Sequence, residues 1–154
     1  MLAVPIPAKP ETSMYWRREF HGKADQIRLV RAFAAHLLAN FSSLDDILLV
    51  LDELAVNAVR HTRSGHDGGR LIVEISMDVA GVIVYVTDQG GPDEPHLRDI
   101  TDLAEGGRGL LAVEALTATW SWTGDTQGRT IRATFPRERT SPDECVRPAC
   151  LEVT

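Results

Sequence analysis

The stretch LDELAVNAVRH, residues 51–61, has the period of an amphipathic helix. Together with the residues before it, this stretch places six apolar side chains on one face, which predicts a helix packed on a sheet. These are Leu44, Ile47, Leu48, Leu51, Ala55 and Ala58. Glu53, Asn57 and His61 follow one another at four-residue intervals along the margin of that face. The polar stripe is either a half-exposed margin, with Asn57 hydrogen-bonded to backbone, or one wall of a binding site.

The rest of the sequence predicts the element order β-α-α-β-β-loop-α-β-β. The expected strands are residues 14–20, 70–79, 82–88, 119–123 and 129–135. The expected helices are residues 24–39, residues 108–118 and a long segment that Ser42 or Ser43 caps and Gly65 ends. Elements in this order separate into two layers, so the expected fold is α+β, a two-layer α/β sandwich with a mixed sheet covered by helices on one face. The strand at 82–88 is apolar almost throughout, which is typical of a strand buried on both faces.

Length and composition indicate one globular domain. The 154 residues, 44% hydrophobic and 25% charged, suit a folded unit at 14–136 between a loose arm, 1–13, and a poorly ordered tail, 137–154. A net charge of −6 argues against nucleic-acid binding, for which a basic face is expected. No apolar run approaches the roughly 20 residues of a membrane span, and residues 1–13 lack the features of a signal peptide. We therefore expect a cytoplasmic protein that contacts neither nucleic acid nor a membrane.

Two glycine-containing segments add candidate site residues. VTDQGG, residues 86–91, ends an apolar strand in Asp88, whose carboxylate can accept a hydrogen bond from an amine in a pocket. Gly90 would allow a flat ligand to approach the backbone closely. EGGRGLL, residues 105–111, opens a helix, and a glycine-rich turn at a helix N-terminus presents backbone N–H groups that suit phosphate. Neither segment is specific by itself.

In this order and on these elements, the three segments resemble the GHKL ATPases, the group that includes gyrase and the histidine kinases. The ATP-binding fold of that group is the Bergerat sandwich. The resemblance rests on Glu-x-x-x-Asn in a long helix, Asp-x-Gly after a strand and Gly-x-Gly-Leu before a helix, at 53–57, 88–90 and 107–110. Within the group, ELAVNAVRH and the short interval to GRGL are most similar to the small anti-sigma-factor serine kinases of bacteria. The resemblance covers residues 14–136 and implies a histidine-kinase-like ATPase domain.

The resemblance implies a role for each residue of the helix stripe. Asn57 would bind magnesium through its side-chain oxygen, with phosphates and water as the other ligands. Glu53 would be the catalytic residue, which orients or deprotonates the hydroxyl that attacks the γ-phosphate. His61 would belong to the ATP site, either in contact with metal or phosphate or as a capping or supporting residue. ATP and magnesium are therefore the expected cofactors.

The resemblance also assigns the two ends of the nucleotide. Asp88 would accept the exocyclic amine of adenine, and Gly90 would keep that wall of the pocket open. Residues 91–106 would form a lid over the phosphates, and the second glycine motif would bind them. The positions of that motif are Gly107, Arg108, Gly109 and Leu110. Arg108 either reaches the γ-phosphate or is a surface arginine beside a helix start, and Thr130 either helps to hold the base or is an ordinary strand threonine.

Two functions follow from this interpretation. In the first, the protein is an enzyme that transfers the γ-phosphoryl group of ATP to a serine, and its partners are an anti-sigma-factor antagonist, a sigma factor, or both. In the second, it is a non-catalytic module in which bound ATP or ADP gates a protein partner. Glu53 favours the enzyme, because a pure binder needs no base. The resemblance further implies a homodimer, formed through the first strand and helix.

Overall fold

The structure is a computed structural model that describes residues 13–92 and 108–138, with side chains from residue 111 onward in the second range. The strands in these ranges are β1 Met14–His21, β2 Arg70–Met77, β3 Gly81–Asp88, β4 Thr119–Asp125 and β5 Gly128–Pro136. The helices are α1 Ile27–Leu37, α2 Leu44–His61 and α3 Arg108–Leu116. The predicted order of elements is confirmed. The predicted arm up to residue 12 and the tail from residue 139 lie outside the described residues.

The five strands form one sheet in the order β1-β2-β3-β5-β4, and every neighbouring pair is antiparallel. The expectation of a mixed sheet is therefore wrong for the described strands. β3 and β4 do run in the same direction and are joined across α3, which is the kind of connection that parallel neighbours need. β5 follows β4 through a hairpin and lies between β3 and β4, so these two parallel strands are not neighbours.

Buried and half-exposed positions alternate along the strands, so the sheet has a covered face and an open face. On the covered face, Val73, Val86 and Ile131 lie side by side across three strands in the core under the helices. The expectation that β3 is buried on both faces is wrong, because Ile83 and Tyr85 lie on the open face and are only half-buried. β-branched and aromatic residues favour strands even where one face is open, which explains the apolar run.

The covered face is closed by α2, which contacts α1, α3 and β3. Its predicted apolar face is confirmed. The buried residues of α2 are Ile47, Leu48, Val50, Leu51, Leu54, Ala55 and Ala58. Asp45 and Asp46 in the first turn and Arg60 in the last turn suit the helix dipole. Although α2 is the longest of the described helices, neither it nor the others offer an apolar stretch long enough to cross a membrane.

Both ends of α2 differ from the predicted caps. Ser43 occupies the N-cap position, but its side chain makes no capping hydrogen bond. At the other end α2 stops before the predicted Gly65, because Thr62 leaves the helical conformation with φ of −130° and ψ of 170°. The Thr62 hydroxyl donates to the Ala58 carbonyl at 2.6 Å and accepts from the Ser64 N–H at 3.1 Å. These two hydrogen bonds hold the turn that follows the helix.

Replacing Leu51 by alanine tests the packing of α2 on the sheet. Leu51 is fully buried, so the truncation should lower the free energy of unfolding by about 2–5 kcal/mol. Leu49→Ala on the same helix is the matched control, because Leu49 is 43% exposed, and it should cost no more than about 0.5 kcal/mol. Urea denaturation followed by circular dichroism measures both costs. Equal costs for the two variants would contradict the described orientation of α2.

Candidate functional site

Glu53 and Asn57 lie one turn apart on the margin of α2, as the helix stripe predicts. Both side chains are half-buried, and neither makes a hydrogen bond or ion pair with another described residue. The alternative interpretation of the stripe was that Asn57 is hydrogen-bonded to backbone. Asn57 makes no such bond in the described part of the chain. His61 is the last residue of α2 and is exposed. The stripe thus presents a carboxylate and an amide that have no hydrogen-bond partner among the described residues.

Asp88 ends β3 on the covered face of the sheet, because it alternates with Val84 and Val86. The residue is only 7% exposed. The Gly90 N–H donates to Asp88 Oδ1 at 2.7 Å, while Oδ2 has no donor among the described residues. Burial raises the pKa of the Asp88 carboxyl, and the Gly90 hydrogen bond and the positive charge of Arg129 oppose this shift in part. A buried carboxylate with one oxygen left over is suited to accept a hydrogen bond from an amine.

The chain after β3 is tied to the end of α2. The Arg63 N–H donates to the Gly90 carbonyl at 2.8 Å, and the Gln89 N–H donates to the hydroxyl of the buried Ser64 at 2.9 Å. The Arg63 guanidinium donates from Nε to the Gln89 carbonyl at 3.2 Å and from Nη2 to the Thr126 carbonyl. These contacts join the end of α2, the end of β3 and the turn between β4 and β5. No local sequence pattern predicts these contacts, because the partners are distant along the chain.

A second arginine holds the same loop from β5. Arg129 is the direct cross-strand neighbour of Asp88 and is only 4% exposed. Its guanidinium donates through Nη2 to the Gly91 carbonyl and through Nε to the Asp125 carbonyl at 3.2 Å. The sequence-based assignment of the site missed Arg129. A signal existed, since apolar residues follow it at every second position of β5 and must share its face.

Thr130 lies on the open face of the sheet, opposite to the face that carries Asp88. Its hydroxyl is 2.8 Å from the hydroxyl of Thr87, its cross-strand neighbour. The structure therefore does not bring Thr130 to the predicted base pocket, and the alternative interpretation as a strand threonine describes it. The physical reason is the two-residue period of β5, which turns Arg129 to the covered face and Thr130 away from it.

Residues 20–135 match the family described as the histidine kinase-like ATPase domain. The chain belongs to this family. Serine-protein kinase RsbW of Oceanobacillus iheyensis is 24% identical over 127 residues, which cover 75% of this chain and 73% of that protein. A solved structure of the RsbU and RsbW domains of a Mycobacterium tuberculosis protein has a TM-score of 0.54 at 22% identity. That match covers 81% of this chain and 33% of the solved chain, so this chain spans about a third of its length.

These similarities confirm the predicted resemblance to the GHKL ATPases and, within them, to the RsbW type of serine kinase. The expected two-layer fold, with helices on one face of the sheet, is confirmed as well. In this histidine kinase-like ATPase domain, α3 begins at Arg108, and Arg108, Gly109 and Leu110 form its first turn, as the glycine motif predicts. Gly107 and residues 93–106 of the predicted lid lie outside the described residues.

The structure gives Gly90 a role that the sequence did not predict. Its φ is +75°, a conformation that favours glycine. A Cβ atom at this position would lie 2.4 Å from the Thr126 carbonyl oxygen in the turn between β4 and β5. Gly90 therefore allows the loop after β3 to pack against the turn between β4 and β5. Access for a ligand at Gly90 stays a prediction.

Gly90→Ala should lower the free energy of unfolding by at least about 1 kcal/mol more than Gly68→Ala. Gly68 is the matched control, because its φ is +73° and a Cβ there would meet nothing within 4 Å. Gly68→Ala thus carries only the strain of the left-handed conformation, about 1–2 kcal/mol. Gly90→Ala adds the clash with the turn. Urea denaturation of both variants measures the difference, and equal costs would contradict the contact between the loop and the turn.

Proposed function

We propose that the protein is an ATP-dependent kinase that transfers the γ-phosphoryl group of ATP to a serine of a partner protein. Membership of the histidine kinase-like ATPase family and the similarity to Serine-protein kinase RsbW support this reaction. The observation that carries the proposal is the pair Glu53 and Asn57, half-buried and without hydrogen-bond partners among the described residues. Neither side chain has a buried polar atom that lacks a partner in the described part of the chain, so these groups reach the surface, where a ligand can contact them.

Asn57 is the proposed magnesium ligand. Magnesium prefers oxygen ligands, and the side-chain oxygen of Asn57 has no described protein partner that competes for it. One protein ligand suffices, because magnesium keeps several waters and is otherwise held by the phosphates of the substrate. The bound ion would neutralise phosphate charge during transfer. His61, one turn further along α2 and exposed, is a proposed contact for the same phosphates.

Glu53 is the proposed catalytic residue. It lies one turn before Asn57 on the same side of α2, where a carboxylate can orient the serine hydroxyl or accept its proton. The adjacent carboxylate of Asp52 has a different partner, because Arg31 of α1 donates to Asp52 Oδ2 at 2.6 Å. Of these two neighbouring carboxylates, only that of Glu53 is free of a described protein partner.

The proposed contacts at the two ends of the nucleotide come from the ends of β3 and α3. Asp88 would accept the exocyclic amine of adenine at Oδ2, while the Gly90 N–H holds Oδ1. Because one oxygen is already fixed by the protein, the orientation of the carboxylate is set before the nucleotide binds. The phosphate end is assigned to the second glycine motif, because Arg108, Gly109 and Leu110 open α3 and the N–H groups in the first turn of a helix suit phosphate. Its positions are Gly107, Arg108, Gly109 and Leu110.

The proposed protein substrate is an anti-sigma-factor antagonist, and a sigma factor is a second proposed partner. Both proposals, and that of a homodimer, rest on the resemblance to the anti-sigma-factor serine kinases. The proposed cytoplasmic location rests on the composition of the sequence, in which no apolar run approaches the length of a membrane span. The net charge of −6 supports a protein partner over a nucleic acid, because phosphate backbones repel an acidic surface.

Glu53→Gln should abolish phosphoryl transfer while leaving ATP binding intact. Glutamine keeps the size and polarity of the side chain but cannot accept a proton, so the transfer rate should fall by roughly 10²–10⁴-fold. The measurement uses radiolabelled ATP with a candidate anti-sigma-factor antagonist protein as the phosphate acceptor, and calorimetry for ATP affinity. Asp52→Asn is the matched control, since it removes a carboxylate from the adjacent position without touching the proposed site.

The outcomes separate the kinase from a nucleotide-gated binding module. Transfer by the wild type and by Asp52→Asn, with loss in Glu53→Gln, supports the kinase. Binding of ATP by the wild type without transfer to any candidate partner would replace the kinase with the module. Equal transfer by Glu53→Gln and the wild type would remove Glu53 from the mechanism.

Asp88→Asn should weaken ATP binding without weakening the fold. Loss of a hydrogen bond to a charged acceptor costs about 1.5–3 kcal/mol, which corresponds to roughly ten- to a hundredfold in affinity. Asparagine retains an oxygen for the Gly90 N–H and removes the charge whose burial is unfavourable. The free energy of unfolding at pH 7 should therefore be at least that of the wild type. Calorimetric titration with ATP, with and without magnesium, measures the first quantity and urea denaturation the second.

The pH dependence of this stability difference has a defined sign. Because the pKa of Asp88 is raised, the folded protein binds the proton more tightly than the unfolded chain does. The wild type therefore loses stability as the pH rises from the ordinary aspartate range through the raised pKa, and Asp88→Asn does not. The greater stability of Asp88→Asn should appear above the ordinary pKa range of aspartate and vanish below that range. A variant that is less stable than the wild type at pH 7 would show that its weak binding reflects structural damage.

A further inference from the structure

The loop from Asp88 to Gly91 is held by two arginines in different environments. Arg129 on β5 is buried and lies directly across from Asp88, and it donates to the Gly91 carbonyl. Arg63, in the turn after α2, is exposed and donates to the Gln89 carbonyl. Both arginines therefore fix the backbone of the loop, but only Arg129 combines this with burial beside the carboxylate.

We propose that Arg129 is a positioning residue of the base site, which holds the loop against the turn between β4 and β5 and sets a positive charge beside the Asp88 carboxylate. The proposal rests on the proposed function, in which Asp88 contacts adenine. Directly opposed residues of an antiparallel pair have Cβ atoms roughly 5 Å apart, so the two side chains share one site on the covered face. A positive charge in the same site favours the ionised form of a carboxylate, and Arg129 lowers the pKa of Asp88.

Several titratable or charged side chains lie on the elements around this loop. Within the described residues they are Arg63 in the turn after α2, His61 at the end of α2, Asp125 at the end of β4 and Arg129 on β5. Burial is the main influence on the pKa of Asp88 and raises it, and Arg129 is the described charge that lowers it. Arg63 contributes hydrogen bonds to the loop but no comparable effect on that pKa. The two arginines can therefore be separated by experiment.

The decisive measurement is the pKa of the Asp88 carboxyl, followed by carbon-13 NMR as a function of pH in the protein without nucleotide. Arg129→Gln should raise this pKa above its wild-type value, because the opposing charge is gone. Arg63→Gln is the matched control, since it removes hydrogen bonds from the same loop and should leave the pKa near its wild-type value. A pKa that is unchanged in folded Arg129→Gln would overturn the proposal.

ATP titrations across the same pH range add a second readout. ATP affinity should fall at low pH, where the Asp88 carboxylate becomes protonated. In Arg129→Gln this fall should begin at a higher pH than in the wild type, because the pKa of Asp88 is higher. Arg129→Lys keeps a positive charge but loses the planar fork that reaches Gly91 and Asp125, so it should weaken ATP binding by roughly tenfold at every pH. In this variant the pH at which affinity falls should stay near that of the wild type. If the pH at which ATP affinity falls moves equally in Arg129→Lys and Arg129→Gln, the role assigned to the positive charge would be overturned.

If Arg129→Gln does not fold, the double variant with Asp88→Asn decides the outcome. Recovery of folding supports the proposal, because removal of the carboxylate relieves a buried charge that has lost its opposite. Failure to recover would assign Arg129 a purely structural role. The NMR measurement needs no nucleotide, so it also separates this proposal from the proposed function. The wild type could bind no ATP while the pKa of Asp88 still rises in Arg129→Gln. That result would reject the proposed ATP binding and retain the proposed effect of Arg129 on Asp88.

Discussion

The hydrogen bond from the Arg63 N–H to the Gly90 carbonyl is the contact on which the candidate site depends. It fixes the end of α2 to the end of β3, two segments that are distant in the sequence. Because the apolar face of α2 is packed in the core, fixing its end also fixes Glu53 and Asn57 relative to Asp88. The hydrogen bond and the packing of α2 therefore set the relative positions of both halves of the candidate site together, and a change in either would disturb both halves.

The burial of Asp88 lowers the stability of the fold. Burial raises the pKa of its carboxyl, which means that the ionised form is held in an unfavourable environment. The Gly90 N–H and the charge of Arg129 offset part of this penalty without removing it. Groups with shifted pKa values are common at binding and catalytic sites, because the environment that penalises a charge also strengthens the hydrogen bonds it makes. The same burial therefore weakens the fold and improves Asp88 as an acceptor for a ligand.

Much of the fold could be predicted from local patterns. The helical period of residues 44–61 and the two-residue period of β5 predicted the correct elements, because burial on one face imposes both periods. The strand order could not be predicted in this way, since the place of β5 between β3 and β4 depends on pairing between distant segments. The same limit concealed Arg63, whose partners Gln89 and Thr126 lie far along the chain. Local patterns predicted the polar stripe of α2, but not what anchors it to the rest of the site.

Arg129 and Thr130 differ from these cases, because the sequence contained the information that separates them. Apolar residues follow Arg129 at every second position, so the strand period assigns Arg129 to the covered face and Thr130 to the open face. A family motif gives residue types in order, whereas the phase of the strand decides which side each residue occupies. The neighbour of Asp88 across the sheet is consequently a cation instead of a hydroxyl. A hydroxyl can only donate or accept a hydrogen bond, whereas a cation also stabilises the ionised carboxylate, so Asp88 is more strongly biased toward its charged form than the same burial beside a threonine would allow.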